Sequence, residues 1–326
     1  MKKFLRDILV CPKCGGTFDV ETTEVIGDEI IEGELTCTRC RVVYPIRRSI
    51  ARFVPRENYS SSFGFQWNLF RRDQLDKFSG TTLSRDRFLK ETEWNAESLR
   101  GKLLIDIGCG AGRFTEIALS LGARVVAVDL SSAVDACQKN FDGHPNLSVL
   151  QASLFELPLR MGAADGLYCI GVIQHTPDPE TAIKLLPAYV RSGGRVALTV
   201  YTKKWSTLFY GKYLVRVFTK RMDDRALLFL IRLSMPLLFP LTDVLFRLPG
   251  LGRVFAFLMP VANYVAQPQL RDWKTRYRWA VLDTYDMLAP AYDSPQTVSD
   301  VTRWLTELNL RNLHSPLPGT YIGEIA

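Results

Sequence analysis

The stretch Leu104–Ile105–Asp106–Ile107–Gly108–Cys109–Gly110–Ala111–Gly112–Arg113–Phe114 decides the fold of this chain. Its first residues are typical of a buried strand, its three glycines predict a turn, and its last residues predict the start of a helix. Such a unit brings backbone N–H groups and a helix N-terminus close to a ligand. The spacing is G-x-G-x-G, whereas dinucleotide-binding loops have G-x-G-x-x-G, so the surrounding sequence has to identify the ligand.

Strands and helices alternate around this turn. We expect strands at 103–107, 124–128, 147–150, 166–170 and 194–200, and helices at 113–121 and 179–191. Residues 311–314 and 321–325 are expected to close the sheet as an antiparallel pair. The predicted fold class is therefore α/β, with a Rossmann-like, seven-stranded, mostly parallel sheet and flanking helices. Ligands bind such sheets outside the carboxyl ends of the strands.

Length and composition indicate a globular protein of about two domains. Hydrophobic residues make up 47% and charged residues 23% of the 326 positions, which excludes a globally disordered chain. The net charge of +7 favours anionic partners such as nucleic acid, phosphorylated substrates or an acidic membrane surface. A basic soluble protein without such partners fits this charge equally well.

The N-terminus and the cysteines bear on the compartment. Residues 1–7 contain an acid and no long apolar core, so no secretory signal is expected. No run of 18 apolar residues occurs, so no ordinary membrane span is expected. Two CxxC pairs and three single cysteines fit a reducing compartment better than a disulfide framework. We therefore expect a cytoplasmic protein.

The two CxxC pairs predict a metal site in residues 1–57. Cys11–Pro12–Lys13–Cys14 and Cys37–Thr38–Arg39–Cys40 are separated by 22 residues. Each pair can form a tight knuckle, and the thiolates of Cys11, Cys14, Cys37 and Cys40 complete a closed tetrahedral site for structural Zn²⁺. A vacant site and redox chemistry are the alternatives. So small a module has little core, so metal binding would contribute directly to its folding.

This N-terminal segment resembles the Trm112-like zinc-ribbon family. The matching residues are Leu9, Cys11–Pro12, Cys14, Glu32–Gly33–Glu34–Leu35, Cys37, Cys40 and Tyr44–Pro45–Ile46. The family usually continues with Asp-Gly-Ile-Pro, whereas this chain has Arg48–Ser49–Ile50–Ala51, and Arg41 stands where a glycine is common. The resemblance implies a ribbon that supports a methyltransferase, either as a separate partner or fused to it.

Residues 99–326 are expected to form one domain, because roughly residues 99–201 and, more weakly, the C-terminus resemble the class I S-adenosylmethionine-dependent methyltransferases of type 11. The motifs are Asp106–x–Gly108–x–Gly110–x–Gly112, Val128–Asp129, Gln151–Ala152–Ser153–Leu154, Asp165–Gly166–Leu167–Tyr168, Val172–Ile173–Gln174–His175 and Gly193–Gly194–Arg195–Val196. Their order and spacing over roughly 99–201 make this resemblance more specific than the glycines alone. It implies S-adenosylmethionine as the cofactor.

The resemblance also implies a set of cofactor-binding residues. They are Asp106, Gly108, Cys109, Gly110, Gly112, Asp129, Leu130, Ser153, Leu154 and Ile170. Glycines let the turn approach the cofactor closely. The family places Asp106 near the cofactor's amino group, and Asp129 can accept both ribose hydroxyls or simply cap the next helix. Ser153 stands where the family has an aspartate facing adenine, and a hydroxyl accepts that hydrogen bond more weakly.

His175 is the candidate catalytic residue. It follows the fourth strand of the sheet at the mouth of the expected site, where it can act as a general base on a hydroxyl or amine. The alternative is a loop histidine without chemistry. Positioning alone can also supply much of the acceleration, because the transferred methyl group is already activated.

Residues 58–98 are expected to form a linker and N-terminal helices. The string Ser62–Phe63–Gly64–x–Gln66–Trp67 resembles a segment ahead of some small-molecule methyltransferase domains. Serine and glycine predict a loop here, while the aromatic residues argue against a free linker. Gln66 and Trp67 either close over cofactor and substrate or clip the ribbon to the catalytic domain.

Residues 202–270 interrupt the alternation as an apolar and basic insertion. Pro236, Pro240, Pro249 and Pro260 are expected to cut it into short helices. Methyltransferases commonly carry a substrate lid at this place. A helical lid packed on the core and a peripheral contact with the inner face of a membrane both fit this composition, and the two can coexist.

The candidate substrate residues are Gln66, Trp67, Tyr201, Arg276, Arg278, Asp283 and Tyr292. The segment around the last four resembles small-molecule and sugar-modifying methyltransferases, although arginine beside aromatic residues also suits RNA. We therefore expect methyl transfer to oxygen or nitrogen of a small, sugar-like or lipid-linked acceptor. The alternatives are methylation of RNA or of a translation protein, and a non-catalytic binding scaffold.

Overall fold

The protein is described by a computed structural model that covers residues 1–55 and 58–326, apart from the side chain of Leu208. Its strands are β1 Phe18–Ile26, β2 Glu29–Cys37, β3 Val43–Arg47, β4 Ile50–Arg52, β5 Leu103–Ile107, β6 Arg124–Asp129, β7 Leu147–Gln151, β8 Ala164–Ile170, β9 Val190–Thr199, β10 Arg311–His314 and β11 Thr320–Glu324. Its α-helices are α1 Ser61–Leu69, α2 Asp76–Ser79, α3 Leu83–Thr92, α4 Ala96–Leu99, α5 Arg113–Ser120, α6 Val134–Asn140, α7 Pro179–Leu185, α8 Gly211–Thr219, α9 Asp224–Leu245, α10 Gly252–Leu258, α11 Trp273–Leu288 and α12 Val298–Thr306.

All eleven strands form one sheet in the order β1-β2-β3-β4-β7-β6-β5-β8-β9-β11-β10. The seven strands from β7 to β10 are the predicted Rossmann-like sheet, parallel from β7 to β9 and closed by the antiparallel pair β11 and β10. The predicted helix 179–191 is too long, because it ends at Leu185 and a 3₁₀ turn containing Pro187 leads into β9 at Val190. The α/β class and the mostly parallel sheet are confirmed.

Alternate residues of each central strand enter two different cores, as a sheet covered on both faces requires. Ile105 of β5 and Val126 of β6 belong to the core shared with α7, α12 and the N-terminal segment. Leu104 and Val125 face the other core, beneath α3, α5 and α6. The strands are therefore buried on both sides, and the carboxyl ends of β5 and β6 are left to form a site.

The N-terminal module is part of the sheet rather than a tethered domain. Ala51 and Arg52 of β4 pair in parallel with Leu150 and Gln151 of β7. The guanidinium groups of Arg48 and Arg52 both lie 2.8 Å from Asp135 Oδ1 of α6. Arg48, which departs from the ribbon family's motif, thus binds the neighbouring domain. The predicted domain boundary at residue 57 lies outside the described residues.

The aromatic segment that follows the module is a helix, so the predicted loop at its start is wrong. α1 begins at Ser61 and includes Phe63, Gly64 and Trp67. Gly64 packs against Ser132, which lies just before α6. A Cβ atom at Gly64 would come within 2.4 Å of Ser132 Oγ. Close packing of α1 on the domain, which only glycine permits, outweighs the low helix propensity of Ser and Gly.

The insertion forms α8, α9 and α10; α8 and α9 pack on α11 through a third core, and α10 packs on α8 and α9. The expected short helices are only partly correct, because α9 runs for 22 residues through Pro236 and Pro240. Both prolines lie on the exposed face of α9, where solvent can satisfy the carbonyl groups that lose their N–H partners. By length and composition alone, α9 is the one described helix that could cross a membrane, with a mean hydropathy of 1.7.

Candidate active site

The glycine turn at the end of β5 forms the floor of the site. Gly108 has φ +73° and Gly112 has φ +91°, backbone conformations that side chains rarely adopt. A Cβ atom at Gly108 would also lie 2.3 Å from Val172 Cγ2, and one at Gly112 would lie 2.4 Å from Phe141 Cε2. The turn is therefore tightly packed against Val172 and Phe141, and α5 begins directly after it at Arg113.

Asp129 at the end of β6 holds this turn in place. Its Oδ2 accepts a hydrogen bond from Gly110 N at 2.9 Å, and its Oδ1 accepts from the backbone and hydroxyl of Ser131 at 2.8 and 2.7 Å. Burial raises the pKa of Asp129, while these donors oppose the shift. Oδ2 accepts one hydrogen bond only and keeps a lone pair that can accept a ligand hydroxyl.

A cavity of about 840 Å³ lies over this turn and extends under the insertion. The predicted site residues that line it are Trp67, Gly108, Cys109, Gly110, Asp129, Leu130, Leu154, Ile170, His175, Tyr201 and Asp283. Trp67 lies directly above the turn, since a Cβ atom at Gly110 would come within 3.2 Å of its indole nitrogen. One cavity thus joins the expected cofactor site to residues expected to bind substrate.

The remaining predicted residues do not line the cavity. They are Gln66, Asp106, Gly112, Ser153, Arg276, Arg278 and Tyr292. Asp106 is buried beneath the turn, where its carboxylate accepts the hydroxyl of Thr115 at 2.5 Å, and burial raises its pKa to about 7. Ser153 caps a 3₁₀ turn by accepting the N–H of Phe155 at 3.2 Å. Both side chains thus bond to neighbouring groups of the protein.

The two arginines expected to hold a polar substrate are engaged elsewhere, and this expectation is corrected. Arg276 lies 2.7 Å from Asp243 of α9, and Arg278 lies 2.6 Å from Asp73. Both ion pairs join α11 to its neighbours. Positions 276 and 278 are about 200° apart around the helix axis, so their side chains point to nearly opposite sides of α11 and cannot both face the cavity.

His175 is held with one ring nitrogen available. Its Nδ1 lies 2.9 Å from the carbonyl oxygen of Tyr292, which only accepts hydrogen bonds, so Nδ1 carries the proton. In the neutral ring, Nε2 therefore has the lone pair and can accept a proton from a bound molecule. The rings of Phe63 and Tyr201 stand edge-on to the imidazole, with centroids 5.1 and 5.8 Å away.

A buried ion pair in the cavity wall was not predicted from the sequence. Lys212 Nζ lies 2.6 Å from Asp293 Oδ2, with both side chains at least nine-tenths buried. The other oxygen of Asp293 has no hydrogen-bond partner among the described residues. The only sequence signal was a lysine between Tyr210 and Tyr213 in an apolar segment. This part of the cavity wall therefore combines aromatic rings with a buried carboxylate oxygen that is left without a partner.

A second polar network, also missed, connects the turn to α11. Arg113 donates to Gln74 Oε1 at 2.8 Å, and Gln74 donates to Asp283 Oδ1 at 3.0 Å. Tyr264 donates its hydroxyl to the other oxygen of Asp283. Burial, together with the charge of Asp286, raises the pKa of Asp283 to about 7.

This raised pKa predicts a pH-dependent contribution to stability. The folded state binds the Asp283 proton more tightly than the unfolded state, so stability falls as the pH rises from about 4 through about 7. Asp283→Asn, which carries no charge, is expected to raise the Tm relative to wild type at pH 8 but not at pH 4. Thermal melts across this range test it, with the exposed Asp142→Asn as control; a constant difference between variant and wild type contradicts it.

The four cysteines of the N-terminal module converge as expected. Their sulfur atoms all lie within 4.8 Å of one another, with 3.6 Å between Cys11 and Cys40 and 3.4 Å between Cys14 and Cys37. Zinc–sulfur bonds of about 2.3 Å place tetrahedral ligands ~3.8 Å apart. The N–H of Cys40 bonds Cys37 Sγ at 3.4 Å and lowers the pKa of that thiol to about 6. This donor set is compatible with zinc.

Comparison with known protein families agrees with this geometry. Residues 105–198 match the family model described as a methyltransferase domain, and residues 2–49 match the model of Trm112p-like proteins. Both resemblances seen in the sequence are thereby confirmed. The chain carries a methyltransferase domain joined to a Trm112-like module.

Individual relatives cover only part of this chain. Ubiquinone biosynthesis O-methyltransferases of Coxiella burnetii and Acinetobacter baumannii are each 27% identical, over 135 and 140 residues. These alignments cover 40% of this chain and 58% of the relatives' length. Among solved structures, a Bacillus halodurans methyltransferase is 14% identical, with a TM-score of 0.38 and 67% of each chain covered. The complex of the Haloferax volcanii Trm112 methyltransferase activator with a methyltransferase gives 18% identity and a TM-score of 0.37, covering 47% of this chain and 66% of the matched chain.

Proposed function

From this pairing of domains, we propose that the protein transfers the methyl group of S-adenosylmethionine to an oxygen or nitrogen atom of a small, sugar-like or lipid-linked acceptor. One observation carries the proposal. The glycine turn and Asp129 share a single cavity with His175, whose Nε2 is left to accept a proton. The cofactor site and a candidate base therefore face the same enclosed space.

The chain's own residues divide the work. Asp129 accepts a ribose hydroxyl on Oδ2, while its bonds to Gly110 and Ser131 fix its orientation. His175 takes the acceptor's proton on Nε2, and its bond to the Tyr292 carbonyl keeps the required tautomer. S-adenosylmethionine, when bound, supplies an electrophilic methyl group. Side chains of α1 and of the insertion line the same cavity and reduce the access of water to it.

The acceptor side supports a polar molecule with an apolar portion. Tyr201, Tyr210 and Tyr213 line it together with the buried pair of Lys212 and Asp293. The unpartnered oxygen of Asp293 suits a hydroxyl of the acceptor. Oxygen is the preferred methyl acceptor, since the curated relatives are O-methyltransferases by name.

The Trm112-like module favours a second candidate, methylation of RNA or of a translation protein. RNA methylation requires RNA affinity that falls steeply with salt. A filter-binding series with total RNA between 50 mM and 300 mM salt checks this, and weak binding independent of salt removes RNA from consideration.

We also infer that the four cysteines hold one Zn²⁺ as a structural ion.

Calorimetry with S-adenosylmethionine tests the cofactor site. Asp129→Ala removes a charge-assisted hydrogen bond to the ribose and is expected to weaken binding at least about 10-fold. The exposed Asp142→Ala serves as the control and should bind as wild type does. Wild type that binds no S-adenosylmethionine, or Asp129→Ala that binds equally well, overturns both the enzymatic proposal and the assigned site.

A further inference from the structure

The whole net charge of the protein resides in the insertion. Residues 202–270 contain ten Lys and Arg against three Asp, a net of +7, which equals the net charge of the complete chain. Lys212 and Arg216 are buried, and the other eight cations are exposed. Elsewhere 31 basic and 31 acidic residues balance. The protein is therefore strongly polarised towards this one region.

The same region exposes most of the protein's large apolar side chains. Among the described residues, 15 of the 27 exposed large hydrophobic side chains belong to the insertion, which is about a fifth of the chain. Trp205, Phe218 and Leu237 are 84%, 74% and 73% exposed. So dense an apolar surface on a soluble domain marks an interaction site rather than scattered exposure.

These side chains form helical faces. On α9, Phe229, Leu233, Leu237 and Val244 follow one another at intervals of four or seven residues on the exposed side, while the opposite side packs on α11. Leu214 and Phe218 do the same on α8. α9 thus has one apolar face that packs in the core and a second apolar face that is exposed and can contact another apolar environment.

We propose that α8, α9 and α10 dock on an anionic lipid bilayer, with the exposed apolar face inserted at the interface and the eight exposed cations meeting the lipid phosphates. Charge complementarity and the mixture of aromatic, aliphatic and basic residues select this occupant. RNA would leave the leucine face uncovered. α9 lies along the bilayer rather than across it, because its other face is buried against α11.

This surface adjoins the proposed active site. Tyr210 immediately precedes α8 and Lys212 lies in its first turn. Both residues line the cavity. An acceptor with an apolar tail can therefore reach the cavity from the bilayer without crossing water. This last step rests on the proposed function, whereas docking itself does not.

Vesicle flotation tests the proposal with the full-length protein. Wild type is expected to float with phosphatidylglycerol–phosphatidylethanolamine vesicles and to remain below pure phosphatidylcholine vesicles. The triple variant Lys220→Gln, Arg221→Gln, Arg232→Gln should bind roughly 100-fold more weakly, since each cation near an anionic surface contributes about a factor of five. The pair Phe218→Ser, Leu233→Ser should lose at least about 10-fold.

Matched controls alter exposed residues outside the insertion. Lys90→Gln, Lys139→Gln, Arg160→Gln removes the same charge, and Ile26→Ser, Met161→Ser removes apolar exposure; both should float as wild type does. Wild type that stays below anionic vesicles, or equal losses in test and control variants, overturns the proposal. The proposal is also overturned if light scattering shows a dimer that the test variants abolish. It is overturned as well if the protein binds RNA without floating and the test variants abolish that RNA binding. Calorimetry on the same samples separates the two ideas, because flotation without S-adenosylmethionine binding supports docking and refutes only the proposed function.

Discussion

Replacing Cys40 with alanine is expected to unfold the N-terminal module, although the Cys40 side chain is exposed. An exposed substitution normally changes stability by less than about 0.5 kcal/mol. Loss of one of four thiolates, however, removes zinc binding that amounts to ~10 kcal/mol or more in small zinc modules. The expected result is loss of bound zinc and rapid amide hydrogen exchange in β1, β2 and β3. Exchange should also rise in β7, because β7 pairs with β4.

The control is Cys169→Ala, which removes a fully buried thiol outside the cluster. It should lose some packing energy and keep one zinc per chain, as measured by elemental analysis. Burial alone predicts that Cys169→Ala is the more damaging change, whereas the metal site predicts the reverse order. A Cys40→Ala protein with a full complement of zinc and unchanged exchange would falsify the metal assignment.

His175→Gln is expected to lower kcat by about 10² to 10⁴ while leaving S-adenosylmethionine affinity unchanged. Glutamine keeps a donor for the Tyr292 carbonyl and cannot take up the acceptor's proton. Simple phenols can serve as probe acceptors in a radioactive methyl-transfer assay. The loss should be greatest for a weakly acidic phenol and should shrink for an acidic one that is already ionised.

His314→Gln provides the control, because His314 lies on β10 and pairs with Glu93 away from the cavity. Its rate should equal that of wild type on both phenols. If His175→Gln slows both phenols by the same factor, His175 positions the acceptor and is not the base. If the variant is as fast as wild type, positioning and the activated methyl group suffice for catalysis.

The core of this fold could be predicted from the sequence because its signals are local. The turn at Gly108 and the acid at Asp129 each follow a short apolar run, and the parallel sheet follows from the βα alternation. The four cysteines met the same condition, since each CxxC pair forms its own knuckle. For the same reason, most of the predicted cofactor-binding residues, though not Asp106, Gly112 and Ser153, line the cavity.

Long-range features escaped prediction. β4 is three residues long, and its partners lie 99 residues further along the chain, so its sequence gives no sign of the pairing with β7. Arg276 and Arg278 have the right chemistry for a polar ligand, but only the packing of α11 decides which way each points. Lys212 and Asp293 meet across 81 residues, a contact that no local pattern encodes.

The continuous eleven-stranded sheet also determines which backbone edges the protein presents to other molecules. Its outermost strands are β1, which carries Asp19, Glu21 and Glu24 with register shifts in its pairing, and the short β10. Charged, irregular or short edges resist pairing with another chain. Without the N-terminal module, the regular and fully buried strand Leu147–Gln151 would be the edge. The fused ribbon thus covers an edge strand that would otherwise favour aggregation. Its removal should lower the solubility of the protein even if the methyltransferase domain stays folded.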